Sequence, residues 1–235
     1  LGIGSPDLAP HPDVIKVLQE TSAADNVHAY QSYKGSQILR NAIREFYKKW
    51  YDVILDPDTE VLPLIGSKEG IMHICMTYLN NGDLALIPNP GYPTYSSAVK
   101  LAGGEPVYYD LTLAGNWEPD LEALAKTDLS KVKLMWVNYP HMPTGQLPSV
   151  RFFESLIAFA TKHQILICHD NPYSFILNEK PQSLLSIKGA KDVVVELNSL
   201  SKSSNMAGWR VGMLVGKKDR IEEVLRFKSN MDSGM

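Results

Sequence analysis

The sequence predicts an α/β fold in three layers: a mostly parallel, seven-stranded sheet with one antiparallel strand, covered by helices on both sides. Three observations lead there. Short apolar runs recur seven times between residues 61 and 216, each of strand rather than helix length. Several of the earlier runs are apolar on both parities, as strands covered on both faces must be. The stretches between them are long enough to cross back over the sheet as helices.

Taken in order, residues 1–34 are rich in Gly, Pro and Asp and read as an extended arm with one short helix at 12–20, forming part of a small domain. Residues 35–230 read as the large domain, and 231–235 as the start of a truncated linker. The stretch 37–50 places Ile38, Ile43, Phe46 and Trp50 near one face at helical spacing, with Arg and Lys opposite, a surface helix. The runs at 61–65, 84–88, 106–111, 133–138, 165–170, 193–198 and 211–216 are the expected strands, and helices are expected at 67–80, 92–102, 118–127 and 149–163. Residues 199–210 carry Ser, Asn, Gly and Lys without an apolar stripe. A parallel crossover needs a helix of its own, so the last strand is expected to run antiparallel. The chain opens on Leu1 and closes on Met235 inside what reads as a helical run from Ile221, so both ends read as cut and the small domain as incomplete.

Composition narrows the functional classes. With 44% hydrophobic and 21% charged residues and a net charge of -3, the chain has the balance of an ordinary soluble globular protein. That charge gives no electrostatic reason to expect nucleic acid. No apolar stretch approaches the roughly 20 residues of a bilayer span, and no basic segment followed by a hydrophobic one opens the chain, so no membrane partner and a cytoplasmic location are expected. Cys75 and Cys168 lie in apolar runs and read as reduced core residues. The histidines at 11, 28, 73, 141, 163 and 169 show no ligand spacing; no metal is expected, and most read as surface or capping residues.

Ligands of open α/β sheets sit outside the carboxyl ends of the parallel strands, so the residues that follow strands carry the chemistry. After the sixth strand comes Ser199-Leu200-Ser201-Lys202, then Gly208-Trp209-Arg210. A lysine there can form a Schiff base while Ser and Arg hold a phosphate. An isolated loop lysine is usually a solvated surface group, so the weight lies in the pattern. After the fifth strand, Asp170 and Tyr173 set a carboxylate and a phenol three residues apart, which alone could equally be a capping Asp and a packed Tyr. After the first strand, Gly66-Ser67-Lys68 opens a helix whose amino end is either an anion site or a plain N-cap.

The run SLSKSSNMAGWRVG resembles the S-x-S-K-x-x-x-M-x-G-W-R-x-G signature of the fold-type I pyridoxal-phosphate enzymes, the aspartate aminotransferase superfamily of class I/II aminotransferases. The likeness extends from Gly4 to the helix after Arg210, with motifs in the family's order. It implies that Lys202 binds pyridoxal 5'-phosphate covalently and shuttles the substrate's proton. It further implies that Arg210 pairs with the cofactor phosphate, that Ser199 and Ser201 hydrogen-bond it, and that Gly66, Ser67 and Lys68 form the phosphate-binding turn. Asp170 would pair with the pyridinium nitrogen and favour its protonated form. Tyr173 would bond the ring hydroxyl, Tyr92 stack on the ring, and Gly4 line the substrate-carboxylate pocket. Tyr30 matches the tyrosine that reaches the neighbouring subunit's phosphate, which implies a homodimer with a shared site.

One departure stands out. The segment 138–145, NYPHMPTG, resembles the family's N-P-T-G turn, but Met142 stands where an asparagine donates to the ring oxygen, and methionine cannot donate. Either Tyr173 carries that oxygen alone or His141 substitutes. The implied activity moves an amino group between an L-amino acid and a 2-oxo acid. Alternatives on the same scaffold are a carbon-sulfur lyase or decarboxylase, or a non-catalytic cofactor-binding regulatory module; no basic recognition helix accompanies the last. The family's arginine for the substrate α-carboxylate has no counterpart in these residues. The spellings MDSGM and HDNPYSFI resemble the branch near the LL-diaminopimelate and alanine aminotransferases.

Overall fold

The computed structural model describes residues 4–235. Helix α1 (Pro12–Ser22) starts with Pro at its first turn, where the missing N–H costs nothing, and none of its residues is buried. Helix α2 (Gln37–Tyr51) is capped by Ser36, whose hydroxyl accepts from the Leu39 amide at 3.2 Å, and stops at Asp52 in the left-handed region. Its buried side carries Arg40, Ile43, Tyr47 and Tyr51. This corrects the face read from the sequence: Ile38 is 83% and Trp50 44% exposed. Two tyrosines occupy the inner side because their hydroxyls find buried acceptors and donors there, on Glu196 and Asn198.

The alternation then runs β1 (Val61–Leu64), α3 (Ser67–Tyr78), β2 (Leu84–Asn89), α4 (Pro93–Leu101), β3 (Glu105–Asp110), α5 (Leu121–Leu124), β4 (Val132–Asn138), α6 (Val150–His163), β5 (Leu166–Asp170), α7 (Ala190–Val193), β6 (Val194–Ser199), β7 (Gly212–Gly216) and α8 (Lys218–Lys228). The seven strands form one sheet in the order β1-β7-β6-β5-β4-β2-β3. β7 is antiparallel to both neighbours and the other pairings are parallel, as the helix-poor connection before it requires.

Alternate residues of each central strand feed two apolar clusters, one per sheet face. Met135, Val137 and Ile167 pack with Phe152, Phe153 and Leu156 of α6 and with α2. Leu134, Trp136 and Cys168 pack on the other face with Ile71, Ile74 and Cys75 of α3, Val99 of α4 and Val224 of α8. Both cysteines are free and buried, as expected. The outer strand β3 is largely exposed, being covered less than the central ones.

Two expected helices are shorter than read. The stretch 118–127 keeps one helical turn, α5, because it closes on bonds of shorter period, Lys126 to Ala123 and Thr127 to Leu124. The run at the carboxyl end stops with α8 at Lys228; Gly234 then bridges Gln31, and the Ser36 amide donates to the Met235 carbonyl. Among the described residues no helix is long and apolar enough to cross a membrane.

Candidate active site

Because β1, β4, β5 and β6 are parallel to one another, their carboxyl ends open on one edge of the sheet. There lies a cavity of about 250 Å³ lined by residues from all four strand exits. β6 delivers Ser199, Ser201 and Lys202; β5 delivers Asp170 and Tyr173; β4 delivers Asn138 and Met142; the turn after β1 delivers Ser67 and Lys68. Tyr92, at the start of α4, and Arg210, before β7, complete the wall.

The turn after β1 is built by close packing. Gly66 has φ of +81°, and a side chain there would run into the Arg210 guanidinium at 2.1 Å. A Cβ on Gly212 would meet the Ser67 amide nitrogen at 2.6 Å. These contacts bring Arg210 against the first turn of α3, whose amino end carries no side-chain cap. Uncapped amides and a guanidinium thus converge where an anion is favoured. Arg210 is itself oriented by a bond from Nη1 to the Ala207 carbonyl at 2.8 Å. Ser199 Oγ donates to Ser201 Oγ at 2.8 Å and accepts from the Ser201 amide at 3.0 Å, which folds the loop back before Lys202. Lys202 Nζ donates to the Gly4 carbonyl, so the amino-terminal arm reaches the lysine.

Asp170 is the perturbed carboxyl of the cavity. Burial raises its carboxyl from 3.8 to about 6, against the lowering effects of a hydrogen bond from Tyr95 and the nearby His169. Tyr95 Oη donates to Oδ2 at 2.8 Å. The other oxygen, Oδ1, is buried with no protein partner. Tyr95 is fully buried and stacked on Trp136 at 4.9 Å, so it fixes the carboxylate from a rigid base. Sequence reasoning missed Tyr95; its place one turn after Tyr92 in α4 was the available signal. Tyr173 is half-buried, and its hydroxyl is raised by burial and by the neighbouring Asp170.

From the turn at 138–145, Met142 joins Tyr173 in lining this cavity. The Met142 amide donates to Asn138 Oδ1 at 2.9 Å while the methionine side chain faces the cavity. His141 points elsewhere: Nδ1 meets Thr144 Oγ1 at 2.7 Å and Nε2 the Pro90 carbonyl at 3.1 Å. Its ring is therefore not available as a substitute donor.

The histidines depart from their surface reading: His73, His141 and His169 are all buried. They remain inside because each finds polar partners there. Glu69, His73 and Asp232 offer ligand atoms within 4.8 Å of one another, but the Lys228 ammonium already pairs with both carboxylates. Gly4 and Gly66 lie against Lys202 and Arg210 without lining the cavity themselves, whereas Tyr30 does not line it and is 92% exposed.

Comparison with known proteins agrees with this geometry. The family model described as aminotransferase class I and II matches residues 1–233. An LL-diaminopimelate aminotransferase of Dehalococcoides mccartyi is 47% identical over 99% of this chain and 61% of its own length. One from Aquifex aeolicus is 41% identical, again over 61% of its length. The chain thus spans about three-fifths of these curated relatives. Among solved structures, substrate-bound BacF from Bacillus subtilis superposes with a TM-score of 0.95 at 40% identity, covering 100% of this chain and 60% of that one. An aminotransferase from Staphylococcus aureus gives 0.94 at 33%, covering 99% and 62%. A match over nearly the whole chain, by sequence and by fold alike, establishes that it belongs to the aminotransferase class I and II family, whose members depend on pyridoxal phosphate.

Proposed function

We propose that this chain holds pyridoxal phosphate on Lys202 and, in the whole protein, moves an amino group between an L-amino acid and a 2-oxo acid. The observation that carries the reading is Asp170 Oδ1, a buried acceptor without a partner in the wall facing Lys202. Such an atom calls for a cationic N–H donor, and a protonated pyridine nitrogen is one. When bound, the cofactor supplies a ring that accepts the electron pair released at the substrate's α-carbon.

The chain's own residues do the rest. Gly66, Ser67 and Lys68, with Ser199, Ser201 and Arg210, hold the phosphate; Tyr92 packs on the ring; Asp170 keeps the ring nitrogen protonated. Tyr173 donates to the ring hydroxyl, alone, since Met142 and His141 supply no donor there. Lys202 Nζ would hold the cofactor at its carbonyl carbon, with loss of water, and as a free amine it would take the substrate's α-proton and return it to the carbon next to the ring. Gly4, already in contact with Lys202, lines the substrate-carboxylate side.

Residues 35–230 form the cofactor-binding domain in this reading, with 1–34 as arm and part of a small domain and 231–235 as a linker. Two copies share their sites through Tyr30, whose exposure leaves it available to a neighbour. The working compartment is the cytoplasm. LL-diaminopimelate, for which several relatives are named, is the first amino acid to test.

Borohydride reduction after incubation with pyridoxal phosphate, followed by peptide mass mapping, tests the cofactor site. Label at Lys202, lost in Lys202→Ala, is the expected result; label scattered over surface lysines and unchanged in the variant sinks the reading. Amino-acid release that depends on an added 2-oxo acid separates amino transfer from lyase or decarboxylase chemistry.

A further inference from the structure

On the face of β5 opposite Asp170, a buried carboxylate gathers groups from four segments. His169 of β5 and Glu196 of β6 are register partners on adjacent parallel strands, and both are fully buried. Glu196 Oε1 accepts from Tyr47 Oη of α2 at 2.9 Å and from Asn171 Nδ2 at 3.4 Å. Oε2 accepts from Ser183 Oγ at 2.8 Å and the Leu184 amide at 3.0 Å, and lies 2.8 Å from His169 Nδ1. Ser183 Oγ itself accepts from the Leu185 amide, so its proton is free for Glu196.

Donor and acceptor accounting then fixes the charges. Four donors other than His169 converge on Glu196, and hydrogen bonds in that number favour the ionised carboxylate over the neutral acid. His169 Nδ1 must therefore donate to it. His169 Nε2 faces the Tyr139 carbonyl at 3.0 Å, which can only accept, so Nε2 donates too. A histidine that donates at both nitrogens is an imidazolium. On its remaining side the ring meets the edge of Phe153 from α6 at 5.5 Å, which offers no charge. The residues on either side of Asp170 in the chain, His169 and Asn171, are both bound by this one carboxylate.

We propose that His169 and Glu196 are positioning residues for Asp170: Glu196 holds the side chains of the residues on both sides of it, and the His169 imidazolium stands behind it as a fixed positive charge that favours its ionised form. This rests on the reading of Asp170 as the carboxylate that meets the cofactor's ring nitrogen. In line with it, His169 lowers and Glu196 raises the Asp170 carboxyl, His169 being the larger of the two.

The test uses nuclear magnetic resonance on the full-length protein without cofactor. Nitrogen-15 spectra of the His169 ring at neutral pH are expected to show both nitrogens protonated; a single ring proton overturns the proposal whatever the variants do. His169→Asn keeps an N–H donor toward Glu196 and removes the charge, so the carboxyl carbon of Asp170 is expected to titrate about one pH unit higher. Tyr47→Phe removes one bond to Glu196 with no change of charge and is expected to leave that midpoint in place. An unmoved midpoint in folded His169→Asn, or an equal rise in Tyr47→Phe, overturns the proposal. Should His169→Asn fail to fold, the ring-proton count decides. Neither readout involves cofactor, so failure of the Lys202 labelling and failure of this inference are separate outcomes.

Discussion

A carboxylate with one oxygen on Tyr95 and the other unpartnered in a buried wall is costly to fold around. Asp170 titrates at about 6 in the folded protein against an ordinary 3.8, so the native state keeps a proton that the unfolded chain releases between those values. Stability conferred by that proton is complete below the lower value and is lost as pH rises through about 4 to 6, with a full cost of up to roughly 3 kcal/mol above it. Asp170→Asn removes the titration. The cofactor-free variant is expected to be more stable than the parent at neutral pH, by about 1–3 kcal/mol in urea unfolding, with the difference vanishing below about pH 4. The same variant should hold pyridoxal phosphate less tightly, because an amide cannot answer a ring cation as a carboxylate does. Equal stability of the two proteins at neutral pH would mean that the carboxylate is better solvated than its burial implies.

At the scale of elements, the turn proposed to bind phosphate is braced from below. Glu69, in the first turn of α3, accepts from the Ile65 amide, bonds His73 Nε2 at 2.6 Å, and lies 3.5 Å from the ammonium of Lys228, which α8 brings in almost wholly buried. Burial alone would raise the Glu69 carboxyl, but the bonds to His73 and Asp232 and the charge of Lys228 hold it down at about 2. Replacing Lys228 by Met strands two carboxylates beside each other, and a loss of about 3 kcal/mol is expected in urea unfolding. Lys191→Met, at the more exposed pair with Glu60, should cost no more than about 1 kcal/mol. Similar losses in the two would show that the α3–α8 cluster is solvated after all. None of this bracing was legible in the sequence, whereas the strands were, because a run apolar on both parities reports its own burial. Tertiary pairing does not report itself: Tyr95 meets Asp170 75 residues on, and Tyr47 meets Glu196 149 residues on. A partial signal was present in His169 and Glu196, polar residues inside otherwise apolar strands, which must find each other or another partner. The lysine loop offered a candidate because its pattern is local, four strand-exit residues and a following glycine and arginine in one short run.

At the scale of the whole molecule, the amino-terminal arm does two things in the proposed function. Through Gly4 it touches the lysine of its own chain, and through Tyr30 it offers an exposed phenol to a neighbour. A site divided in this way makes a prediction that a self-contained one does not. Lys202→Ala destroys a chain's own cofactor anchor but leaves its Tyr30 intact; Tyr30→Ala does the reverse. When the two variants are unfolded together and refolded, about half of the random dimers are mixed, and in each of these one site has a native Lys202 facing a native Tyr30. Borohydride labelling at limiting pyridoxal phosphate should then recover tight-binding sites amounting to about a quarter of the wild-type number, against almost none for either variant alone. If instead the mixture labels as the simple average of its components, Tyr30 serves its own chain or none, and the two-fold sharing of the site is wrong even where the cofactor assignment is right.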